Sequence, residues 1–271
     1  FERFINLIPC TGTLVVGWET QIARELSRKS LDPVESFGIE EPDLSGHPRW
    51  RPERIEYGPD GTAFDVYHGG ARLGGVRTPL SGAFNVRNSL AALAAASALG
   101  ADWNRLVEGL RTLKIVRRRM EVRGEVRGVT VIDDFAHHPT AIAATLDAAR
   151  NCWPERRRIV VFQPHRYTRT QALFDAFCDV LSSESHLLIS DVYAAGESVI
   201  EDADGQSLCR AIASRTGIAP TFVKDLSRLK DALAPILRPD DVVLTLGAGD
   251  IGRWARTLLP AIGQSGMGAE S

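Results

Sequence analysis

The chain has 271 residues, of which 44% are hydrophobic and 24% are charged, and its formal net charge is −2. This composition is typical of a globular protein with an apolar core, and the length allows two domains of ordinary size. The small net charge argues against a general nucleic-acid binder, and no apolar run approaches the roughly 20 residues that cross a bilayer.

The first 40 residues alternate between helical and strand patterns. FERFINLI and TQIARELSRK have helical apolar spacing, whereas GTLVVGW and VESFGI are short strand-like runs. Residues 50–80 alternate apolar and polar side chains around Pro-Asp-Gly and Gly-Gly turns, which predicts antiparallel hairpins. Two helices should follow, NVRNSLAALAAASALG closed by Gly100 and DWNRLVEGLRTL capped by Asp102.

The second half of the chain has a different pattern. MEVRGEVRGVTVID predicts a hairpin, and RIVVFQP, HLLISDVY, PTFV and DVVLTLG predict strands. Between and after these strands, helices are expected to begin near Pro139, Thr170, Asp204, Asp225 and Ile251. Strands that alternate with helices indicate βαβ units and a mainly parallel sheet covered on both faces. We therefore predict an α/β protein with a domain boundary near residue 115.

The four cysteines, Cys10, Cys152, Cys178 and Cys209, are scattered and form no Cys-x-x-Cys pair. Cys178 and Cys209 lie on apolar stretches with helical character, which favours buried hydrophobic roles over reactive ones. The reducing cytoplasm is therefore the expected location.

Polar and charged side chains follow four of the predicted strands in the second half. In open α/β sheets, ligands bind beyond the carboxyl ends of the strands, so these side chains predict a site. The strand-end residues are Asp133, Asp134, His137 and His138; Gln163, His165, Arg166 and Arg169; Asp191, Tyr193 and Glu197; and residues 247–250.

The first of these groups, DDFAHHPT, allows several roles. Its aspartates could hold ribose hydroxyls or magnesium-bound water. His138 precedes Pro139, which is the residue type favoured in the first turn of a helix, so backbone N–H groups there could face an anion. The alternative is a plain capping arrangement. A zinc site is disfavoured, because the two histidines are adjacent and not four residues apart.

The loop FQPHRYTRT places three basic side chains at a predicted helix start, where cations oppose the helix dipole. Arginine suits carboxylate or phosphate recognition, so this loop points to an anionic ligand. The arginines of VRRRMEV fit a solvated hinge as well as they fit a ligand contact. Asn85 and Asn88 lie on one helical face and could either read an adenine edge or cap the helix.

Six motifs, in this order and spacing, resemble the Mur ligases of peptidoglycan synthesis, and more narrowly the branch that acts on UDP-N-acetylmuramate. They are FNVRNSLAAL, RRMEVRGEV, DDFAHHPTAI, FQPHRYTRT, DVYAAGE and GAGDIG. The second and third are similar to members that attach L-alanyl-γ-D-glutamyl-meso-diaminopimelate, the acceptor that we take as the leading expectation. The fourth and fifth are more similar to members that attach free L-alanine, which is the alternative.

The resemblance implies that residues 1–114 are the later part of a central ATP-binding domain and residues 115–271 a Rossmann-like C-terminal domain. It also implies an ATP- and Mg²⁺-dependent ligase that phosphorylates the muramoyl carboxylate, after which an amine attacks the acyl phosphate. The substrates would be UDP-N-acetylmuramate and an L-alanyl acceptor, with no nucleic acid, no membrane and no metal site built from side chains.

The family also implies roles for individual residues. Asn85 and Asn88 would contact adenine, although Phe84 stands where a histidine is common, and Arg119 and Asp134 would hold the ribose and phosphates. The residues expected in catalysis are His138 and Arg166. The residues expected to bind the substrate are His137, His165, Arg166, Arg169, Asp191, Tyr193 and Glu197.

The phosphate-binding pattern G-x-x-x-x-G-K-[ST] does not occur in the sequence, which begins at Phe1 with what reads as the middle of a domain. We therefore expect this chain to be the back half of a ligase, inactive without the upstream domains of the same enzyme. Two other hypotheses are a non-catalytic binding module that has lost this loop and a metal-dependent hydrolase built on the Asp/His cluster.

Overall fold

The computed structural model describes residues 1–9, 11–39 and 46–264. The chain divides into two compact units, Phe1–Ile115 and Val116–Ser271. In the described ranges, no helix combines the length and the apolar character that a bilayer crossing needs.

The first unit contains a five-stranded sheet with the strand order β1-β2-β3-β4-β5. The strands are β1 Leu14–Gly17, β2 Val34–Phe37, β3 Trp50–Gly58, β4 Gly61–His68 and β5 Ala71–Thr78. The helices are α1 Glu2–Ile5, α2 Gln21–Ser27, α3 Ala83–Ala98 and α4 Trp103–Arg111. Strands β1 to β3 are parallel, and β3 to β5 are antiparallel, as the hairpin pattern predicts.

Local capping explains where the helices of the first unit begin. The Thr20 side chain accepts a hydrogen bond from the backbone N–H of Ala23 at 3.2 Å, so α2 begins immediately after it. Asp102 does the same for α4, with Oδ1 accepting from the N–H of Arg105 at 3.1 Å. The apolar faces of α3 and α4 then cover the core, which contains Trp50, Phe64, Val66, Leu90 and Leu93.

The second unit contains a six-stranded sheet with the order β10-β9-β8-β11-β7-β6. The strands are β6 Glu121–Val126, β7 Val129–Asp134, β8 Arg158–Phe162, β9 Leu187–Ser190, β10 Thr221–Val223 and β11 Val242–Leu246. The helices are α5 Pro139–Cys152, α6 Tyr167–Ala172, α7 Phe174–Leu181, α8 Gly205–Thr216, α9 Leu229–Leu233 and α10 Ile251–Gln264. All neighbours pair in parallel except the edge hairpin β6–β7. The predicted α/β class with a mainly parallel sheet is confirmed.

Helices cover both faces of this sheet, because alternate side chains of each strand point to opposite sides. Ile159 and Val161 of β8 pack in one apolar cluster with Leu229 of α9 and Leu258 of α10. Phe162, the next residue of β8, meets Phe177 of α7 on the other side, with the two ring centroids 5.5 Å apart. The strands therefore read as continuous apolar runs and not as alternating ones.

The cysteines fit this packing. Cys178 on α7 and Cys209 on α8 are buried, as expected, and burial raises the pKa of the Cys209 thiol to about 12. A thiol in this environment is protonated and unreactive at neutral pH. Cys10 lies outside the described residues.

Two helix starts differ from the sequence prediction. The helix expected near Thr170 begins earlier, at Tyr167, and is interrupted at Leu173 between α6 and α7. The segment expected to be helical from Asp225 begins as a 3-10 turn, residues 226–228, before the short helix α9. The start of α6 depends on Glu197, which is distant in sequence, whereas the 3-10 turn is capped locally by Asp225.

Candidate active site

Four strand ends with polar side chains meet at one edge of the second sheet. Strands β9, β8, β11 and β7 are consecutive neighbours, and all four run parallel. Their carboxyl ends therefore lie side by side, although β11 comes last in the chain and enters the sheet between β8 and β7. This order also creates the reversal point at which α/β sheets bind ligands.

Asp133, at the end of β7, is part of a buried ion pair. Its Oδ2 accepts from Nε of Arg118 at 3.1 Å, and its Oδ1 accepts from the hydroxyl of Thr245 on β11 at 3.2 Å. The guanidinium of Arg118 also donates to the carbonyl of Gly247. Arg118 therefore anchors two strand ends, a role that was not predicted because fifteen residues separate it from its carboxylate partner.

Asp134, the next residue, is only 3% exposed. Its two carboxylate oxygens accept from the backbone N–H groups of Met120 and Ala136, both at 2.7 Å. Burial raises the pKa of this carboxyl, and the two backbone hydrogen bonds oppose that rise. The carboxylate thus organises the turn after β7, and its expected contact with ribose or phosphate stays a prediction. Arg119, by contrast, is exposed, with its guanidinium 5.9 Å from the Phe135 ring.

The two adjacent histidines have different surroundings. His137 is half-buried, and its Nδ1 lies 2.8 Å from the carbonyl oxygen of Phe135, so Nδ1 carries the proton and, in the neutral ring, Nε2 keeps a lone pair. His138 is exposed and is the N-cap of α5, with Nδ1 accepting from the N–H of Thr140 at 3.4 Å. In that tautomer the proton of His138 is on Nε2. The geometry therefore favours His137, and not His138, as a proton acceptor.

His165 follows β8 and is also held in a defined tautomer. A guanidinium nitrogen of Arg169 lies 3.3 Å from Nδ1 of His165, which must accept, so Nε2 of the neutral ring carries the proton. Burial lowers the pKa of His165, and the charges of Arg169 and His137 lower it further. The imidazole rings of His137 and His165 are 5.8 Å apart. The structure thus brings two of the predicted histidines together.

Arg166 occupies a strained position at the start of α6. Its φ is +71°, a region that side-chain-bearing residues rarely adopt, and its backbone N–H donates to the carbonyl of Tyr193 at 2.9 Å. The arginine side chain is exposed. Backbone strain of this kind is typical of functional loops, where surrounding contacts hold a side chain in one orientation.

The loop after β9 completes this arrangement. The Tyr193 ring stacks on His165 with centroids 5.5 Å apart and planes at 13°. Glu197 accepts from the backbone N–H of Thr168 at 3.0 Å and from its hydroxyl at 2.7 Å, and these bonds lower the pKa of Glu197. Glu197 is therefore the cap that starts α6 early, and its carboxylate interacts electrostatically with Arg166. Asp191 accepts from the N–H of Val192.

Gln163 is a further site residue to which no role was assigned from the sequence. It ends β8, is 5% exposed, and its side-chain amide contacts the loop between β11 and α10. Its position after a predicted strand placed it among the candidate site residues, but its contacts with the loop before α10 are visible only in the structure.

A cleft of about 1010 Å³ opens beside these residues, on the side of α9 and α10. Its lining includes charged and aromatic side chains, namely Asp191, Tyr193, Lys224, Arg228, Asp250 and Trp254. Tyr193 thus contributes both to the cleft and to the stack with His165. The residues of β10 and α9 that line the cleft were not predicted.

Asn85 and Asn88 lie in the first unit, on α3. Asn85 is buried and donates from Nδ2 to the carbonyl of Ser81 at 2.8 Å, and Asn88 donates to the Oδ1 of Asn85 at 3.4 Å. Asn88 is exposed, so its carbonyl oxygen is the more accessible of the two for a ligand. The two predicted residues thus differ, because the amide of Asn85 is used within the fold and the amide of Asn88 is exposed.

Within residues 1–9, 11–39 and 46–264, no group of three or more His, Cys, Asp or Glu side chains is placed to hold a metal ion. The cluster formed by His137, His165, Arg166 and Arg169 is suited instead to an anionic group beside two imidazoles. We refer to these four residues and Tyr193 as the basic cluster.

Both units match domains of known proteins. Residues 1–96 match the Mur ligase middle domain, and residues 118–249 match the Mur ligase, glutamate ligase domain. A UDP-N-acetylmuramate–L-alanine ligase of Desulforapulum autotrophicum is 38% identical over 96% of this chain and 56% of its own length. That of Halorhodospira halophila is 39% identical over 93% of this chain and 52% of its own length. The chain thus spans about half the length of these relatives.

Solved structures share the fold. The UDP-N-acetylmuramate–alanine ligase of Thermotoga maritima has a TM-score of 0.70 at 22% identity, with 96% of this chain and 61% of that chain covered. A murein peptide ligase of Psychrobacter arcticus has a TM-score of 0.62 at 23% identity, with 98% and 54% covered. The MurF ligase of Thermotoga maritima, in complex with ADP, scores 0.67 at 17% identity, with 93% and 53% covered. At these identities the solved structures show a shared fold alone. The two domain matches also identify the family. With both units matched in the order that its motifs predict, the chain belongs to the Mur ligase family.

Proposed function

We propose that this chain is the acceptor-binding part of an ATP-dependent ligase that joins UDP-N-acetylmuramate to L-alanine. The observation that carries the proposal is the basic cluster, which combines two arginines with two histidines at the meeting point of four strand ends. An amino acid has the matching groups, because its carboxylate suits an arginine and its amine must lose a proton before it attacks.

The residues have separate roles in this proposal. Arg166 and Arg169 bind the carboxylate of the acceptor, and Tyr193 fixes the His165 ring beside them. His137, with its lone pair on Nε2, accepts the proton from the attacking amine. His138 caps α5 by accepting from the N–H of Thr140. The other backbone N–H groups at that helix start face the reacting acyl group. Asp191 and Glu197 hold the loop after β9 in place.

ATP, when bound, supplies the phosphoryl group that activates the muramoyl carboxylate. Asn88 has an exposed amide suited to adenine, and Arg119 an exposed guanidinium suited to phosphate oxygens. Mg²⁺ commonly binds through phosphates and water with only one or two carboxylates, so it needs no dedicated cluster of side chains. A phosphate-binding loop is also required, and we propose that upstream domains of the same ligase supply it, in the cytoplasm.

The relatives revise the acceptor. The two sequence relatives named above, from Desulforapulum autotrophicum and Halorhodospira halophila, are L-alanine ligases by name, which favours free L-alanine over the tripeptide of the leading sequence expectation. The tripeptide remains a second candidate because RRMEVRGEV and DDFAHHPTAI resemble ligases that use it, and because the cleft beside Tyr193 is large enough for a longer acceptor.

An assay on the gene product that carries this sequence tests the proposal. With UDP-N-acetylmuramate, ATP and Mg²⁺ present, we expect phosphate release to depend on added L-alanine. Release with the tripeptide and not with L-alanine would transfer the proposal to the second candidate. No release with either acceptor would contradict ligase function and favour the hypothesis of a binding module.

A further inference from the structure

The loop between β11 and α10, residues 247–250, lies against Gln163 at the end of β8. The Nε2 of Gln163 donates to Oδ1 of Asp250 at 2.7 Å, and its Oε1 accepts from the backbone N–H of Ile251 at 3.0 Å. The backbone N–H of Gln163 donates to Leu246 at 2.9 Å. One buried residue therefore holds the loop at its beginning and at its end.

The same loop contacts Tyr193 through a glycine. A Cβ placed on Gly249 would lie 2.7 Å from Cβ and Cγ of Tyr193 and 2.5 Å from Oε1 of Gln163. These distances are far below van der Waals contact, so only glycine allows the loop to approach the base of the tyrosine side chain this closely. Gly249 therefore sits between the amide of Gln163 and the aromatic side chain.

Tyr193 connects this contact to His165 and Arg166, the neighbouring members of the basic cluster. Its backbone N–H donates to the carbonyl of Pro164 at 2.9 Å, its carbonyl accepts from Arg166, and a parallel bridge joins it to His165. Because the backbone of Tyr193 is held in this way, the contact with the loop of residues 247–250 restricts the orientation of its ring. The ring then stacks on His165.

We infer that Gln163 is a positioning residue, which sets the Tyr193 ring and through it the His165 imidazole by holding Gly249 and Asp250. Gln163 is not itself in the basic cluster, and it acts only through the loop. The inference that this positioning serves acceptor binding rests on the proposed function. The structural part of the inference does not.

The test uses the chain as it is, with labelled histidine and tyrosine followed by NMR. Gln163→Met keeps the side-chain length but removes both hydrogen bonds. Gln206→Met is the matched control, because Gln206 is exposed on α8. We expect Q163M to lose at least about half of the cross-relaxation between the His165 and Tyr193 rings, while Q206M leaves it unchanged.

The titration of His165 provides a second readout. Its pKa is lowered mainly by burial, and the charged groups facing it are Arg169, His137, Arg166 and Glu197. None of these is changed in Q163M, so a rise in the pKa of His165 toward its ordinary value reports that the ring has become more hydrated. A purely structural role of Gln163 in the sheet would lower the melting temperature without moving this titration.

Gly249→Ala tests the same contact between the loop and Tyr193 without changing Gln163, because the added Cβ would displace the Tyr193 side chain. It decides the question alone if Q163M does not fold. A folded Q163M, or a folded G249A, with unchanged ring contact and unchanged His165 titration would overturn the inference.

In the intact gene product, both variants should raise KM for the acceptor by about tenfold or more and leave KM for ATP unchanged. Changed NMR readouts without this KM effect would count against the proposed function and not against the positioning role.

Discussion

Asp134 illustrates how a strand-end carboxylate can stabilise the fold. Replacing it with alanine would leave the N–H groups of Met120 and Ala136 buried without acceptors. Each unsatisfied donor costs about 1–3 kcal/mol, so we expect D134A to lower the free energy of unfolding by about 2–6 kcal/mol. Urea denaturation measures this loss.

The matched control is Asp147→Ala on α5. Asp147 is 65% exposed and forms a surface ion pair with Arg150. Such pairs contribute less than about 1 kcal/mol, so the free energy of unfolding of D147A should be close to that of the unchanged protein. Equal effects of the two substitutions would show that the buried hydrogen bonds of Asp134 do not stabilise the turn.

His165 should make stability depend on pH in a defined direction. Burial and then Arg169 hold its pKa in the folded chain below the ordinary value of 6.5. Between these two values the unfolded chain binds a proton that the folded chain does not, so the free energy of unfolding falls as the pH is lowered through 6.5. His165→Asn should make this dependence shallower. Denaturation at several pH values checks it, and an unchanged slope would contradict it.

The residue types of the site were predictable from the sequence, but their partners were not. Histidines, arginines and carboxylates at strand ends identify a ligand site by a general rule. The tautomers of His137 and His165 depend on Phe135 and Arg169, and the burial of Asp134 depends on the strained segment at Met120. These are contacts of folded loops, which spacing along the chain does not encode.

At the scale of elements, the loop between β11 and α10 depends on a backbone that only glycine adopts easily. Gly247 has φ +148°, and a Cβ there would lie 2.7 Å from the carbonyl oxygen of Gln163. We expect Gly247→Ala to destabilise the protein by at least about 2 kcal/mol, measured by chemical denaturation.

The same substitution should have the opposite sign at Gly109. This glycine lies within α4, and no atom is within 4 Å of the position that its Cβ would take. Alanine favours the helix over glycine, so Gly109→Ala should stabilise by about 0.5–1 kcal/mol. A lower free energy of unfolding in both variants would contradict the expectation that alanine fits the backbone at Gly109 but not at Gly247.

Most elements were predictable because their signals are local. The Ala-rich pattern of α3, the caps Thr20 and Asp102 and the Gly-rich hairpin turns each act within a few residues. Helix α6 is the exception, since its cap is Glu197, which comes from the loop after β9. A cap that is distant in sequence leaves no trace in the helical periodicity of FQPHRYTRT.

At the scale of the whole molecule, family membership follows from ordered motifs, whereas the sheet order does not. The alternation of strands and helices predicts a parallel sheet, but nothing in DVVLTLG shows that β11 inserts between β8 and β7. That insertion brings Gln163, Gly249 and Tyr193 together, so the support of the site could only be recognised in the folded chain.

The central claim is that the arginines of the basic cluster bind the carboxylate of the acceptor. The direct measurement is the steady-state KM for L-alanine and for ATP in the intact gene product with Arg166→Ala. A charge-assisted hydrogen bond to a carboxylate contributes about 1.5–3 kcal/mol, so KM for L-alanine should rise by at least about tenfold while KM for ATP stays the same. An unchanged KM for L-alanine, or an equal rise for both substrates, would contradict the claim.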